Sequence, residues 1–407
     1  MKFRVLRDEI GMTFFVVVAV VLALLAAAAP SEAQQSGRPS TGAPGAPPRG
    51  RSSTGRVSGS VDDAERDVRY AVTQVGVLPN EQSSFLPVAG TINNSGVVAG
   101  YSFNGAFAAN NNFYLTAVGF IGEHGRLEAL PLVSGWPGAF AFGLNDNNQV
   151  FGVANNVDAA GDIVQTPVVW DHGRAFSLGT LLPNSEAWAY GMNNRGEVVG
   201  GSYSFDLNVE TPFVWYKGQM KALPLPPGAV GGEADGINDP GQVTGYLDYG
   251  TTPPPGTGEY HPVLWTPQAG SYVVLDLGNF GGDYGSGQHV NNRGQVAGWA
   301  SDSAGNDHAY LWEGGPLQDL GLLPSGTYSV AYGINQRGQI VGVADRADGN
   351  QVTFLWENGV MTDLDNLVPA GTPLLTEPGG INDQGEIAAS AFLVDGSVIS
   401  FVLTPIQ

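Results

Sequence analysis

The sequence predicts an all-β protein, a seven-bladed β-propeller of four-stranded antiparallel blades in which an N-terminal strand completes the last blade. Three observations carry this. A signature built around Ile-Asn-x-x-Gly recurs seven times, with its asparagine at Asn93, Asn145, Asn193, Asn238, Asn291, Asn335 and Asn382. The spacing, 44 to 53 residues, is the length of a four-stranded propeller blade, whereas a β-solenoid coil is nearer half that. The frame is also shifted at the ends. The segment Tyr70 to Leu78 (YAVTQVGVL) reads as a fourth strand and Ser400 to Leu403 (SFVL) as a third, so joining them closes a ring and hides its open edge.

Within each repeat the elements follow in order. The clearest copies, Ala189 to Gly200 (AYGMNNRGEVVG) and Ala331 to Gly342 (AYGINQRGQIVG), give an inner strand, an Asn-x-x-Gly turn and a second strand. The turn reading rests on chemistry: Asn bonds to its own turn, and Gly takes the left-handed conformation that a bulged hairpin requires. A variable loop follows, then an aromatic strand ending at Trp170, Trp215, Trp265, Trp312 and Trp356, with Thr116 expected in that place in blade one and Leu403 in blade seven. Fourth strands are read at Phe176 to Leu182, Leu317 to Leu323 and Met361 to Leu367. Short β-branched and aromatic runs broken by Asn, Gly and Pro are strand signals, and no 3.6-residue period follows the leader.

The repeat A-x-G-I-N-x-x-G-x-V-V-G, followed by a strand such as Asp307 to Trp312 (DHAYLW), resembles the HAF-type extracellular repeat proteins of bacteria. His308, Ala309 and Tyr310 form this chain's nearest copy of the eponymous triplet, while TPVVW, TPFVW, HPVLW and VTFLW keep the strand and mostly lose the histidine. The resemblance spans residues 70–407 and implies an exported propeller-like domain. It carries no catalytic residues onto this chain.

Composition divides the chain into three. Residues 1–33 read as a signal peptide: Lys2, Arg4 and Arg7 precede an apolar run from Phe14 to Ala29, and Ser31-Glu32-Ala33 supplies small residues for cleavage. The run is short for a membrane span, which favours cleavage over retention as an anchor, and no membrane insertion is expected after cleavage. Residues 34–69, rich in Ser, Gly, Pro and Arg, read as a disordered linker. Residues 70–407 form the propeller and hold 8 Lys plus Arg against 31 Asp plus Glu. So acidic a domain excludes nucleic acid and anionic lipid as partners of its surface.

The chain has no cysteine, which excludes disulfides, thiolate metal sites and cysteine nucleophiles. The core must therefore supply the stability. Burying one blade tryptophan removes roughly 200 Å² from water, an upper estimate of about 5 kcal/mol.

Signals for catalysis are weak, since the chain lacks a G-x-S-x-G elbow, an H-E-x-x-H helix and any phosphate-cradling glycine pattern. Loops around Asp302, Asp345 and Asp348 (SDSAGND, DRADGN) admit calcium as a possible cofactor, although plain hairpin turns need the same residues and the EF-hand pattern is absent. Two loop sets vary in length, those joining strands two to three and those joining strands four to one, and antiparallel blades bring both to one face. Recognition is expected there. Phe85, Trp136, Trp188, Tyr284 and Tyr328 on the four-to-one loops are the candidate ligand contacts, because exposed rings beside amides suit a sugar or a peptide. The reading is a secreted, extracellular or periplasmic, non-catalytic binding or scaffolding module for an extracellular glycan or protein. The alternative is a polysaccharide hydrolase or lyase at the mouth of the central channel.

Overall fold

The computed structural model describes residues 68–87, 90–104, 113–123, 125–159, 161–250 and 259–406. The expected leader and nearly all of the linker lie outside these residues. Seven four-stranded sheets follow in chain order, each an antiparallel meander: blade 1 over 83–129, blade 2 over 138–177, blade 3 over 185–222, blade 4 over 231–276, blade 5 over 281–319, blade 6 over 329–363 and blade 7 over 377–405. The seventh has only three strands of its own. Its outer place is taken by β1 (Tyr70–Gln74), which pairs antiparallel with β28 (Val398–Pro405), from Tyr70 opposite Pro405 to Gln74 opposite Phe401. The ring is thus closed by the N-terminal strand, and Arg69 locks the entry through a 2.6 Å ion pair with Glu357 of blade 6.

The repeat signature has a packing reason at nearly every position. In five blades the residue two before the repeat asparagine is glycine, where one inner strand meets the backbone of an adjacent blade: a Cβ at Gly143, Gly191 or Gly236 would stand 2.8, 2.9 or 2.9 Å from the neighbouring blade's carbonyl oxygen. The register slips there, as between Ala189 and Gly191 or Ala331 and Gly333. Each tight turn then closes on a left-handed residue, glycine in six blades (Gly338 has φ 81°) and Asn148 (φ 58°) in blade 2.

Blade tryptophans fill the core: Trp170, Trp265 and Trp356 are buried, and the indole nitrogens of Trp170 and Trp265 donate to Pro131 and Pro224 carbonyls of the preceding blade. Blade 1 departs from expectation. Its third strand is β4 (Val118–Glu123), and register puts Gly122, not Thr116, in the tryptophan's place, while Thr116 ends the short helix α1 (Phe113–Thr116). A Cβ on Gly122 would meet the Arg126 carbonyl oxygen and stand 2.7 Å from the Leu127 side chain, so no larger residue fits there. The fourth strands are also shorter than read. Blade 2's is β9 (Arg174–Ser177), and the Leu-Gly-x-Leu segments beyond serve as plugs, with Leu178, Leu320, Leu323, Leu364 and Leu367 buried.

Candidate functional site: the central channel and its two faces

The seven repeat asparagines form a closed ring of hydrogen bonds around the axis. Each Nδ2 donates to the backbone carbonyl of the next repeat asparagine: Asn93 to Asn145 (3.1 Å), Asn145 to Asn193 (3.0 Å), Asn193 to Asn238 (3.0 Å), Asn238 to Asn291 (2.9 Å), Asn291 to Asn335 (3.0 Å), Asn335 to Asn382 (2.9 Å) and Asn382 back to Asn93 (3.0 Å). The same side chains hold their own turns, as Oδ1 of Asn335 does by accepting from the backbone N–H groups of Arg337 and Gln339, both at 3.0 Å. All seven are buried. They are structural in both senses, local turn and inter-blade tie.

A second closed ring, one residue on, lies nearer solvent. The backbone N–H of each residue after the asparagine donates to the side chain of its counterpart in the next blade, through Asn94, Asp146, Asn194, Asp239, Asn292, Gln336, Asp383 and back to Asn94 at 2.8–3.0 Å. Asn194 Nδ2 further bridges Asp146 and Asp239 at 2.9 and 3.2 Å. Sequence reading passed over this ring. Its signal was present in the acceptor-bearing side chain that follows every repeat asparagine.

These rings surround a channel of about 160 Å³ whose wall includes Tyr190, Asp235, Gln288 and His289. Ile334 donates its backbone N–H to His289 Nδ1 at 3.3 Å, and burial drives that imidazole down to about 4 against the opposing charge of Asp383. Asp235 belongs to a buried acid cluster of blades 3 and 4 with polar partners on blade 5. Glu233 hydrogen-bonds Asp235 and Glu210, and Asp235 also accepts from Ser286 Oγ (2.6 Å) and Gln288 Nε2 (3.3 Å). Burial, reinforced by the Glu210 and Asp235 charges, pushes the Glu233 carboxyl well above the usual range; burial raises Asp235 to about 6 against the hydrogen bonds from Ser286 and Glu233. Glu377 of blade 7, also buried, is pushed well above that range by desolvation.

The opposite face carries the variable loops, and there the expected ring platform is corrected. Phe85 and Trp188 are buried, at 5% and 4% exposure, inside one aromatic cluster with Tyr101, Phe103, Phe140 and Phe142. The cause is strand length: inner strands start earlier than read, so Phe85 lies in β2 (Ser83–Phe85) and Trp188 in β10 (Ser185–Met192), not in loops. Trp188 Nε1 is held by Gln165 at 2.7 Å. Tyr284, within β18 (Gly281–Val290), packs on Tyr260 with centroids 5.5 Å apart, Tyr328 donates to Gln351 at 2.7 Å, and Trp136 is half-buried against the core between blades 1 and 2. The structure therefore does not bring the five rings together on one surface.

Exposed apolar groups on the loops of that face include Val77, Leu132 and Val394, and four more lie on loops around blade 3. Leu207 is 64% exposed, Val230 46%, Leu182 43% and Phe205 36%. Their loops are tied down: Asn184 Nδ2 donates to Asp206 at 2.7 Å, Phe205 N–H to the Asn184 carbonyl at 3.2 Å, and Val230 N–H to the Asp248 carbonyl at 2.8 Å.

The loops that also admitted calcium behave as hairpin turns. Asp302 accepts the N–H groups of Ala304 and Asn306, Asp348 accepts that of Asn350, and Asp345 accepts Thr327 N–H and hydroxyl together with Tyr328 N–H. Those donors hold Asp302 and Asp348 below the usual carboxylate range, and for Asp345 they prevail over the opposing effect of desolvation.

No family model and no curated protein matches the chain. Among solved structures it is similar to the β-propeller domain of the Trilobed protease from Pyrococcus furiosus (12% identity over 64% of this chain and 80% of that one, TM-score 0.43) and to TolB from Acinetobacter baumannii (11%, 72% and 76%, TM-score 0.40). It is also similar to a prolyl endopeptidase (12%, 83% and 47%, TM-score 0.48). These are propellers of different functions at low identity, so the propeller assignment rests on this chain's own sheets, and no activity transfers from them.

Proposed function

We propose that the protein is an exported, non-catalytic binding propeller of the HAF-repeat type that engages a protein partner through its variable loop face, with the contact centred on blade 3. The observation that carries this is the group Leu182, Phe205, Leu207 and Val230, mostly aliphatic and held on tied loops. A sugar site needs exposed rings flanked by amides, and two of the five expected rings are core residues. An exposed apolar group on a rigid scaffold favours a protein surface instead. The channel is small beside the several hundred Å³ of typical organic-ligand pockets, and the acids at its mouth are engaged in the ring, which favours binding over hydrolysis of a polysaccharide.

The test is site-specific photo-crosslinking from Leu207 in the native extracellular milieu, with the same cross-linker at Val360 on the outer edge of blade 6 as control, beside a glycan array. A discrete protein adduct from 207, absent from 360 and lost on Phe205→Ser, is expected. Retention on a glycan that Leu207→Glu leaves unchanged would refute the proposal.

A further inference from the structure

Of the seven outer strands, six are short, guarded against edge pairing, or exposed only through small or polar side chains, and one is none of these. The exception is β17 (Ser271–Asp276, SYVVLD), which pairs with β16 (Tyr260–Gln268) along all six of its residues, from Asp276 opposite Val263 to Ser271 opposite Gln268. Elsewhere, β5 (Arg126–Ala129), β9 and β13 (Gln219–Ala222) carry Arg126, Arg174 and Lys221; β21 has two residues (Gln318–Asp319); β25 (Val360–Asp363) ends on an aspartate clamped by Arg346; and β1 exposes only Ala71, Thr73 and Gln74. Charges, shortness and clamps are the devices by which proteins keep an open edge from recruiting another strand. In β17 there is no Lys, Arg or Pro.

Its two outward side chains are large and apolar: Val273 is 49% and Leu275 48% exposed. Leu275 lies opposite Leu264 and Val273 opposite Thr266, so all four share the face of blade 4 turned toward blade 5. Blade 5 covers Leu264 through Val290, Val296 and Tyr310. Its outer strand is the two-residue β21, and the face of β17 is left open. On the other face Tyr272 and Val274 pack into the blade core, which fixes the orientation of the strand. Among the described residues no backbone bond joins the outer edge of β17 to another segment.

Charge selects the occupant. The chain carries a net charge of −21, and the C-terminal end of β17 is an acidic corner, where Asp276 (43% exposed) and Glu259 (64%) flank His261 at 2.6 and 3.7 Å. A second copy of the chain would bring the same negative charge to the contact, whereas a cationic strand neutralises it. We infer that β17 accepts an extended segment of a partner protein, alternating apolar and Lys or Arg residues, as a fifth strand of blade 4. Main-chain bonds would supply the pairing, Val273 and Leu275 the apolar contact, and Asp276 with Glu259 the charge preference.

The experiment uses the full chain and a capped Val-Lys alternating octapeptide, with a Val-Glu octapeptide and a Val-Lys octapeptide interrupted by a central proline as controls. Titration calorimetry and amide hydrogen exchange over residues 271–276 are the readouts. The Val-Lys peptide is expected to slow exchange in β17 and to bind at least ten-fold more tightly than either control. Val273→Lys should weaken that binding at least ten-fold, and so should Val273→Lys with Leu275→Lys, both variants melting like the parent. Four results would overturn the inference: no protection of β17, equal binding of the proline peptide, binding indifferent to Val273→Lys, or a dimer in sedimentation that Val273→Lys dissolves. None of them bears on the blade 3 face, since β17 contributes nothing to it.

Discussion

Replacing Asn335 tests whether the repeat asparagine is only a turn former or also a tie between blades. Its side chain makes four hydrogen bonds: Nδ2 to the Asn382 carbonyl (2.9 Å) and Gln339 Oε1 (2.8 Å), and Oδ1 from Arg337 and Gln339 N–H (3.0 Å each). At about 1 kcal/mol net per bond, Asn335→Ala should cost about 4 kcal/mol, several times the cost of a lost turn bond alone, because the side chain is buried and its partners cannot all regain water. Asn335→Asp separates the two roles. Aspartate keeps both Oδ1 bonds and hence the turn, but it sets an acceptor against the Asn382 carbonyl and Gln339 Oε1, so it should be no more stable than alanine. Urea unfolding at neutral pH, with slopes compared to exclude altered cooperativity, gives both differences. An Asn335→Asp variant within 0.5 kcal/mol of the parent would refute the inter-blade ring.

Two further outcomes follow from the fold and its buried acids. Deleting residues 34–80 removes β1 and should leave blade 7 with an open edge, seen as aggregation or a melting temperature far below that of the 34–66 deletion, which should melt like the parent; equal tolerance of both would refute closure by β1. Glu233 and Asp235 have folded pKa values raised above their unfolded ones, so their contribution is fully present below the unfolded values of 3.8 for Asp235 and 4.5 for Glu233 and is lost as pH rises, through about 6 for Asp235 and higher for Glu233. His289 opposes this: its folded pKa is lowered from 6.5 to about 4, so its contribution is full above 6.5 and lost as pH falls toward 4. Comparing Glu233→Gln with the parent cancels the histidine, and the variant's relative melting temperature should climb from pH 5 to pH 8; a difference independent of pH would show that Glu233 holds no proton in the folded ring.

The fold was legible because its determinants are local and repeated. Seven copies of one turn, with a close-approach glycine in five blades and a core tryptophan in five, leave a period that needs no tertiary knowledge, and the shifted frame at Tyr70 and Leu403 announced closure. Positions defined by register were less legible: Thr116 stood where a strand end was due, but the pairing of Val98 with Gly122 moved that place six residues on. The platform at Phe85 and Trp188 failed for a related reason. Inner strands of up to ten residues run back into the segments that read as four-to-one loops and carry their rings inside. Glu210, Glu233 and Asp235 were simply three acids among many, since nothing in a strand's own sequence tells that its neighbour will bury a carboxyl against it.

The repeat asparagines have all their polar capacity consumed by neighbours, and the residues that follow them are tied in a ring of their own, so the most regular surface of the molecule has the least left over for a ligand. Recognition must then fall where the blades differ. The departures from the repeat are of that kind: the apolar loops of blade 3, and the unguarded β17 beside a truncated β21. Phe176 and Val360 are also exposed on the shorter outer strands of blades 2 and 6, so what sets β17 apart is the combination of length, an unguarded edge and two exposed apolar side chains. Exposed apolar groups of this kind add nothing to folding and raise the hazard of aggregation, so a bound partner is the physical circumstance in which they stabilise anything.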